Sequence, residues 1–319
     1  MIDRYGRNID YLRISITDRC NLRCQYCMPE QGIESVAMAD ILTFEEILEV
    51  VKQAAKLGIR IIKITGGEPL VRKGCCTLIK DIKSIHGIEK VTITTNGVLL
   101  KKYLPDLIAA GIDGINISLD TVDKKQYARL TRGDVFDEVI AGLKAAILYD
   151  IPVKVNAVSL KSTACYYKDL IELAHYDPVD VRFIEVMPIG LGKLFESYSH
   201  QELIKSIQND FPNMVKDERF HGYGPAVYYQ IPGYKGSIGF ISAIHGKFCS
   251  SCNRVRLTSQ GFLKTCLCFD EGCDLRELLR SHQDIYDIMQ KTIYHKPKAH
   301  CFENEKEMTE TKGMSMIGG

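Results

Sequence analysis

Short hydrophobic runs alternate with longer amphipathic stretches from residue 11 to about residue 188. The short runs are rich in β-branched residues, which is typical of buried strands covered by helices. They lie at residues 12–16, 61–65, 91–94, 115–118, 153–158 and 181–186. Six strands that alternate with helices predict an α/β fold with a parallel sheet and right-handed crossovers.

The clearest helix is predicted from residue 44 to residue 57. Thr43 and Glu46 have the spacing of a capping box at its start, and Gly58 suits the position after its end. The stretch 135–148 shows the same helical spacing of apolar residues. Because six strand–helix units are too few for an eight-fold barrel, we predict a partial (βα)6 TIM-like barrel that is open on one side.

The pattern changes after Pro188. A helix is predicted at 201–208, and turn-rich sequence follows it. From Gly236 onward, short alternating runs such as 237–241 predict antiparallel strands. We therefore divide the chain into a barrel domain at residues 1–235 and a C-terminal region at residues 236–319.

Composition and charge narrow the classes of function. The chain is 45% apolar and 25% charged with a formal net charge of +1, which indicates a globular enzyme rather than a nucleic-acid-binding or membrane-surface protein. No apolar run approaches the ~20 residues that span a bilayer, and the first residues lack the apolar core of a secretion signal. These features predict a cytoplasmic protein with no nucleic-acid or membrane partner. An anionic ligand must then be bound by a local group of basic residues.

Twelve cysteines are unevenly distributed along the chain. Since disulfides rarely persist in the cytosol, we interpret two groups of three as metal ligands. These groups are Cys20, Cys24 and Cys27, and Cys249, Cys252 and Cys266. Cys75, Cys76 and Cys165 are interpreted as buried thiols that pack as small apolar residues.

Each triad offers three thiolates, whereas a closed zinc or ferredoxin site takes four protein ligands. Three ligands leave one coordination position free for a substrate. The alternatives are a zinc site completed by a distant histidine, or unrelated thiols, for the first triad. For the second triad the alternative is a zinc ribbon completed by Cys268 and Cys273, as in nucleic-acid-binding proteins, which the near-neutral charge disfavours.

The octapeptide 20–27, CNLRCQYC, resembles the signature of the radical S-adenosylmethionine superfamily. The resemblance implies that the first triad holds a [4Fe–4S] cluster whose fourth iron binds S-adenosylmethionine, and that cleavage of this cofactor yields a hydrogen-abstracting radical. The segment 65–69, TGGEP, also fits an ordinary strand–helix turn, but it resembles the superfamily motif that binds the methionyl amino group. By this resemblance the residues that bind S-adenosylmethionine are Tyr26, Gly66, Gly67, Glu68, Thr95, Ser118 and Met187.

Arg254 and Arg256 alternate along a predicted strand, so both guanidinium groups point to one side and suit phosphate binding. The stretch 248–267, together with motifs at 224–226, 239–242, 296–302 and 314–319, resembles the GTP 3′,8-cyclase family of molybdenum cofactor biosynthesis. The resemblance implies that a second [4Fe–4S] cluster binds the purine of GTP. The implied contacts to triphosphate and ribose are Arg13, Lys154, Arg182, Arg254 and Arg256.

The same resemblance implies that Gly318 and Gly319 enter the active site and are needed for catalysis. The implied product is (8S)-3′,8-cyclo-7,8-dihydroguanosine 5′-triphosphate, formed with an external one-electron reductant and consumed by a cyclic pyranopterin monophosphate synthase. One departure is visible, because the family pattern has a lysine at position 61, where this chain has Ile61. Arg60 or Lys63 would have to replace it.

A radical S-adenosylmethionine peptide maturase with an auxiliary cluster is the alternative within the enzyme class. Such enzymes usually carry more auxiliary-cluster cysteines and often a peptide-docking domain, for which no segment precedes Cys20. The sequence carries no signal for the oligomeric state, and a homodimer is compatible with it.

Overall fold

The computed structural model describes residues 1–34 and 36–318, apart from the side chain of Glu305. The first half of the chain contains β1 (Tyr11–Ser15), α1 (Phe44–Lys56), β2 (Ile61–Thr65), α2 (Cys75–Lys83), β3 (Lys90–Thr95), α3 (Leu100–Ala109), β4 (Ile115–Ser118), α4 (Lys124–Thr131), α5 (Phe136–Ile147), β5 (Val153–Ser159), α6 (Tyr167–Tyr176) and β6 (Val179–Glu185). The second half contains α7 (His200–Asp210), β7 (Val215–Asp217), β8 (Val227–Gln230), β9 (Ile238–Ile241), β10 (Arg254–Leu257), β11 (Phe262–Lys264), β12 (Gly272–Asp274), α8 (Arg276–Arg280) and α9 (Tyr286–Tyr294).

The strands form one twisted sheet in the order β12-β11-β10-β1-β2-β3-β4-β5-β6-β9-β8-β7. Strands β1 to β6 are parallel neighbours in chain order, which confirms the predicted α/β architecture. β10 pairs in parallel with β1, and β9 pairs in parallel with β6. Across the described residues no pairing joins β12 to β7, so the barrel is open.

The C-terminal strands differ in part from the expectation. Antiparallel pairing occurs along β7–β8–β9 and along β10–β11–β12. β9 and β10, however, also extend the parallel sheet, one at each edge, so it has eight parallel strands rather than six. Hydrophobic alternation is the same for either strand direction, and periodicity therefore could not reveal this pairing. The division between residues 235 and 236 stays a prediction, and the sheet runs across it.

Helix α1 covers part of the outer face of the sheet with a stripe of apolar side chains. Its capping box forms as predicted: Thr43 Oγ1 accepts from the Glu46 amide, and Glu46 Oε2 accepts from the Thr43 amide. The helix buries one stripe, which includes Val50 and Val51. Burying an aliphatic side chain of this size contributes about 1.5–3 kcal/mol, so the stripe fixes the helix against the sheet.

The inner face of the sheet is polar. Along β5 the side chains of Val155 and Ala157 enter the helix-covered core, whereas Lys154 and Asn156 line a central cavity. This alternation follows from the two-residue period of a strand. Within the described chain, each helix is too short or too polar to cross a lipid bilayer.

Candidate active site

A cavity of about 740 Å³ lies on the inner face of the sheet, and all six cysteines of the two triads line it. Its volume is that of a pocket for a small organic ligand. The first triad follows the carboxyl end of β1, whereas the second lies beside the amino end of β10 and the end of β11. Because β10 and β1 run parallel with Tyr11 opposite Arg254, the two triads lie at opposite ends of the strands.

The loop that leads into the first triad is held by two backbone hydrogen bonds from the segment that follows β2. The amides of Gly67 and Glu68 donate to the carbonyls of Thr17 and Arg19, at 2.7 and 2.8 Å. A Cβ added to Gly67 would lie 2.4 Å from the Arg19 carbonyl oxygen, so only glycine permits this approach. The glycine-rich segment therefore sets the position of the cysteine loop as well as the shape of the cavity wall.

The chemistry of the first triad fits an iron–sulfur cluster. Burial raises the pKa of Cys20 and raises the pKa of Cys27 to about 12, and the pKa of Cys24 also lies well above its usual value because of burial. Thiols in such a site ionise only when a metal cation supplies the compensating charge. Asn96 Nδ2 lies 3.7 Å from Cys20 Sγ and can donate to the sulfur. Cys20, Cys24 and Cys27 would hold the cluster through three of its irons and leave one iron without a thiolate.

Most residues predicted to bind S-adenosylmethionine line the cavity. They are Tyr26, Gly66, Gly67, Thr95, Ser118 and Met187. Tyr26 donates from its hydroxyl to Asp120 Oδ2 at 2.8 Å, and Asp120 Oδ1 accepts from the Val158 amide at 2.7 Å. Burial raises the pKa of Asp120 to about 6. These bonds tie the cysteine loop to the ends of β4 and β5.

Glu68 differs from the rest of that set, since it is fully buried and does not line the cavity. Its carboxylate accepts hydrogen bonds from the Leu70 amide, the Thr95 hydroxyl and the Asn96 amide at 3.0, 2.8 and 2.6 Å. Burial nevertheless raises its pKa to about 7. In this structure the carboxylate joins the ends of β2 and β3.

The second triad also fits an iron–sulfur cluster with three thiolate ligands. Cys249 and Cys252 bracket a 3₁₀ turn before β10, and Cys266 follows β11. Burial raises the pKa of Cys266, whereas the pKa of Cys252 is lowered because the charges of Lys296 and Arg254 outweigh its burial. Lys296 also lines the cavity. The second site therefore carries more positive charge than the first.

The two further cysteines of the alternative zinc ribbon, Cys268 and Cys273, do not join this triad. Cys268 and Cys301 Sγ atoms lie 3.2 Å apart, and neither thiol lines the cavity. Cys273 lies on β12 with the side chain of Thr292 as its hydrogen-bond partner. The arrangement thus offers three thiols to the cavity rather than four.

Arg7 binds backbone carbonyl groups beside the second triad and so holds them close to the first residues of the chain. Its guanidinium donates to the carbonyls of Cys249, Lys296, Pro297 and Lys298 at 2.8–3.2 Å. Its charge is balanced by Asp3, whose Oδ2 accepts from Nε at 2.6 Å. No sequence signal distinguished Arg7, because its partners are backbone oxygens more than 240 positions away.

Besides Lys90 and Lys296, six lysines and arginines line the cavity: Arg13, Lys63, Lys154, Arg182, Arg254 and Arg256. Five were predicted from the sequence, and Lys63 was one of two candidates to replace the lysine missing at position 61. Arg60 is half exposed and pairs with Asp10 and Glu89 on the surface, whereas Lys63 is buried in the cavity wall. A lone charge within the apolar run 61–65 was the signal for it.

Two members of this group have polar partners in the cavity wall. Lys154 pairs with Asp180 at 3.0 Å, and Arg182 Nε donates to Asn156 Oδ1 at 2.9 Å. Burial lowers the pKa of Lys63 well below its usual range, and Arg182 and Arg13 lower it further. A buried group of cations is costly unless an anion enters, which favours a multiply charged ligand such as a triphosphate.

The last described residues of the chain enter the space between the triads. The backbone amide of Ser315 donates to the thiol of Cys27, and Arg256 donates to the carbonyl of Gly318. Gly318 has a φ of 78°, and an added Cβ would lie 3.2 Å from the Cβ of Ser15. The positive φ favours glycine there, and a larger residue would also make a tight contact with Ser15. The second predicted glycine, Gly319, lies outside the described residues.

Both halves of the chain match known protein families. Residues 14–174 match the Radical SAM superfamily, and residues 179–302 match Molybdenum Cofactor Synthesis C. The chain is 42% identical over 323 residues to "GTP 3′,8-cyclase" of Clostridium perfringens (strain SM101 / Type A), with 100% of both chains covered. It is 42% identical over 329 residues to the protein of the same name from Petrotoga mobilis, again with 100% of both covered.

Solved structures show the same fold at low sequence identity. Streptococcus suis SuiB bound to S-adenosylmethionine superposes with a TM-score of 0.68 at 16% identity, covering 97% of this chain and 77% of that one. Native anSMEcpe with bound AdoMet gives a TM-score of 0.59 at 18% identity, covering 94% and 82%. At these identities the likeness concerns the fold alone.

Proposed function

Because this chain belongs to the GTP 3′,8-cyclase family of the radical SAM superfamily, we infer that it cyclises GTP between the ribose 3′ carbon and purine C8. The product is 3′,8-cyclo-7,8-dihydro-GTP, a precursor of the molybdenum cofactor. The cofactors are two [4Fe–4S] clusters and S-adenosylmethionine. The reaction class is that of a lyase.

The observation that carries this function is the group of cations between two cysteine triads. A triphosphate in this space meets Arg13, Arg254 and Arg256, whose guanidinium groups suit paired contacts to phosphate oxygens. Lys63, Lys154 and Arg182 extend the positive surface towards the ribose. The purine then faces the triad of Cys249, Cys252 and Cys266, and the ribose faces the first triad.

S-adenosylmethionine is assigned to the end of the cavity formed by the first triad. Tyr26, Gly66 and Gly67 offer backbone and ring surface there, while Thr95 and Ser118 offer hydroxyl groups. Met187 closes one side of the same region. We assign Glu68 an indirect part, since its carboxylate fixes Thr95 and Asn96.

The chemistry supplied by the bound clusters and S-adenosylmethionine is one-electron cleavage that generates a hydrogen-abstracting radical. The residues of this chain keep the two ligands in one enclosed space and orient the ribose towards the first triad. The tail contributes Met314 and Ser315 to the cavity wall, and covering this side would limit quenching of a radical by water. An external one-electron reductant and a downstream cyclic pyranopterin monophosphate synthase complete the proposed reaction sequence.

Anaerobic reconstitution followed by product analysis tests the function. The protein should contain about eight iron atoms per chain, four for each cluster, and equivalent labile sulfide. With a reductant, S-adenosylmethionine and GTP, mass spectrometry should detect 5′-deoxyadenosine and a cyclised nucleotide of the mass of GTP. Zinc in place of iron would support a zinc ribbon instead, and cofactor cleavage without a nucleotide product would support a different substrate such as a peptide.

A further inference from the structure

A buried ion pair lies where the C-terminal tail leaves the body of the protein. Lys264 on β11 pairs with Glu310, and only 2% of each side chain is exposed. Lys264 Nζ also donates to the Phe269 carbonyl at 2.5 Å. Glu310 is held further because its amide donates to the Cys268 carbonyl at 3.3 Å, and its Oε1 accepts from the Lys312 amide at 2.7 Å.

The two ends of the tail are attached to neighbouring residues of one strand pair. Lys264 lies directly opposite Arg256 in the antiparallel register of β10 and β11. Residues in such positions project to the same face of a sheet. Lys264 binds Glu310 at the start of the tail, and Arg256 binds the carbonyl of Gly318 near its end.

Between these two points the tail follows a defined path. The amides of Met316 and Ile317 donate to the carbonyls of Gly313 and Met314, and Ile317 is fully buried. A slip of one residue at Glu310 would move Gly318 by about 3.5 Å, which is more than a hydrogen bond tolerates. The position of Glu310 therefore decides which residue reaches Arg256.

We propose that Lys264 and Glu310 are positioning residues that set the register of the tail and so hold Gly318 in the active site. A charge buried without its partner is strongly unfavourable, so Lys264 admits a carboxylate at this point and disfavours the uncharged and basic side chains within two positions of Glu310. Met308 and Lys312 are the residues that a slip of two positions would present. The proposal rests on the proposed function in so far as the tail acts in cyclisation.

Two variants and a matched control test the proposal in the reconstituted, full-length protein. Glu310→Gln removes the charge with little change of shape. The double variant Lys264→Met/Glu310→Met removes both charges and leaves neither unpaired, so it keeps the test valid if the single variant fails to fold. Glu307→Gln removes an exposed carboxylate three residues before the start of the tail and serves as the control.

The first measurement is hydrogen exchange at the amides of residues 313–317. Both tail variants should retain the iron content of the parent protein but exchange these amides at least about tenfold faster, the factor that 1.4 kcal/mol produces. The second measurement is cyclised nucleotide formed per 5′-deoxyadenosine, which should fall by at least about tenfold. A role in overall stability alone would alter iron content or melting without changing this ratio.

The outcomes separate the proposal from the function on which it rests. If the double variant exchanges these amides at the parental rate and forms the parental amount of cyclised nucleotide per 5′-deoxyadenosine, the role of the ion pair is overturned. That holds whatever the result for Glu310→Gln. Absence of a cyclised product from the parent protein would instead refute the proposed function, and the exchange measurement would still decide the role of the pair. Glu307→Gln should behave as the parent in both measurements.

Discussion

Arg13 on β1 lies directly opposite Lys63 on β2, and both side chains line the cavity. On the other side of Arg13 the register places Arg256 on β10. Adjacent strands are about 4.8 Å apart, so three cations lie side by side across three strands. Like charges at this spacing repel one another, and a bound triphosphate would lower that repulsion.

Replacement of Lys63 by methionine should have opposite effects on stability and on substrate binding. Because the ammonium group is buried among cations, we expect Lys63→Met to raise the free energy of unfolding of the protein without GTP. Loss of a charged contact should weaken GTP binding by about 1–3 kcal/mol. Chemical denaturation and calorimetric titration measure the two effects. Lys52→Met on the exposed face of α1 is the control, and a less stable Lys63→Met protein would contradict the argument.

The same lysine predicts a dependence of stability on pH. Its pKa is lowered in the folded protein, so the unfolded chain binds more protons at this side chain. Stability from this group therefore rises with pH until the unfolded pKa near 10.4 is reached. Denaturation at pH 7 and pH 9 should show a smaller gain of stability in Lys63→Met than in the parent. Equal gains in both proteins would show that Lys63 does not titrate abnormally.

Arg254→Ala and Arg256→Ala should each weaken GTP binding. Both guanidinium groups line the cavity, and a lost charge-assisted contact to phosphate costs about 1–3 kcal/mol. The dissociation constant for GTP, measured by calorimetry on the reconstituted protein, should rise accordingly. Arg280→Ala removes a partly exposed surface arginine paired with Glu46 and should leave the constant unchanged. An unchanged constant in the cavity variants would remove both arginines from the GTP site.

Cysteine variants should separate cleavage of S-adenosylmethionine, assigned to the first triad, from cyclisation of the nucleotide, which also needs the second triad. Cys24→Ala should abolish formation of 5′-deoxyadenosine, because the first triad is assigned to S-adenosylmethionine cleavage. Cys252→Ala should retain part of that cleavage but give no cyclised nucleotide. Iron content should fall by about half in each variant. Cys165→Ala, at an exposed position, should lose neither activity, and full activity in either triad variant would refute the assignment.

Binding of S-adenosylmethionine should weaken as the pH falls through 7. Burial raises the pKa of Glu68 to about 7, and a protonated carboxyl group cannot accept all three of its hydrogen bonds. Thr95 and Asn96 then lose the carboxylate that fixes them. Equilibrium binding at pH 6 and pH 8 should show tighter binding at pH 8. Glu68→Gln should bind more weakly than the parent at pH 8 and show little difference between the two pH values.

The sequence predicted the strands β1 to β6 and the capped helix α1 because these depend on local periodicity and on side chains a few positions apart. It also predicted the cysteines and most of the cavity cations, since motif spacing and strand alternation can be read from positions along the chain alone. Arg7 and Glu310 were missed for a physical reason. Arg7 binds a set of backbone carbonyl groups, and Glu310 binds a lysine. Both sets of partners are distant in sequence and come near only when the chain folds.

The assignment of Glu68 shows a second limit of motif reading. A motif identifies the residue type at a position but not the direction in which its side chain points. In the fold the carboxylate turns away from the cavity and accepts bonds from the Leu70 amide, in the turn after β2, and from Thr95 at the end of β3. Its part in binding S-adenosylmethionine stays a prediction.

The pairing of β10 with β1 and of β9 with β6 has a consequence for synthesis of the protein. While the ribosome is still translating the region before residue 238, both outer strands of the growing sheet expose unpaired backbone groups. Free strand edges of this kind invite association with other chains. The nascent protein therefore depends on its own last quarter to pair with these two outer strands. Translation arrest before residue 257 should yield insoluble fragments.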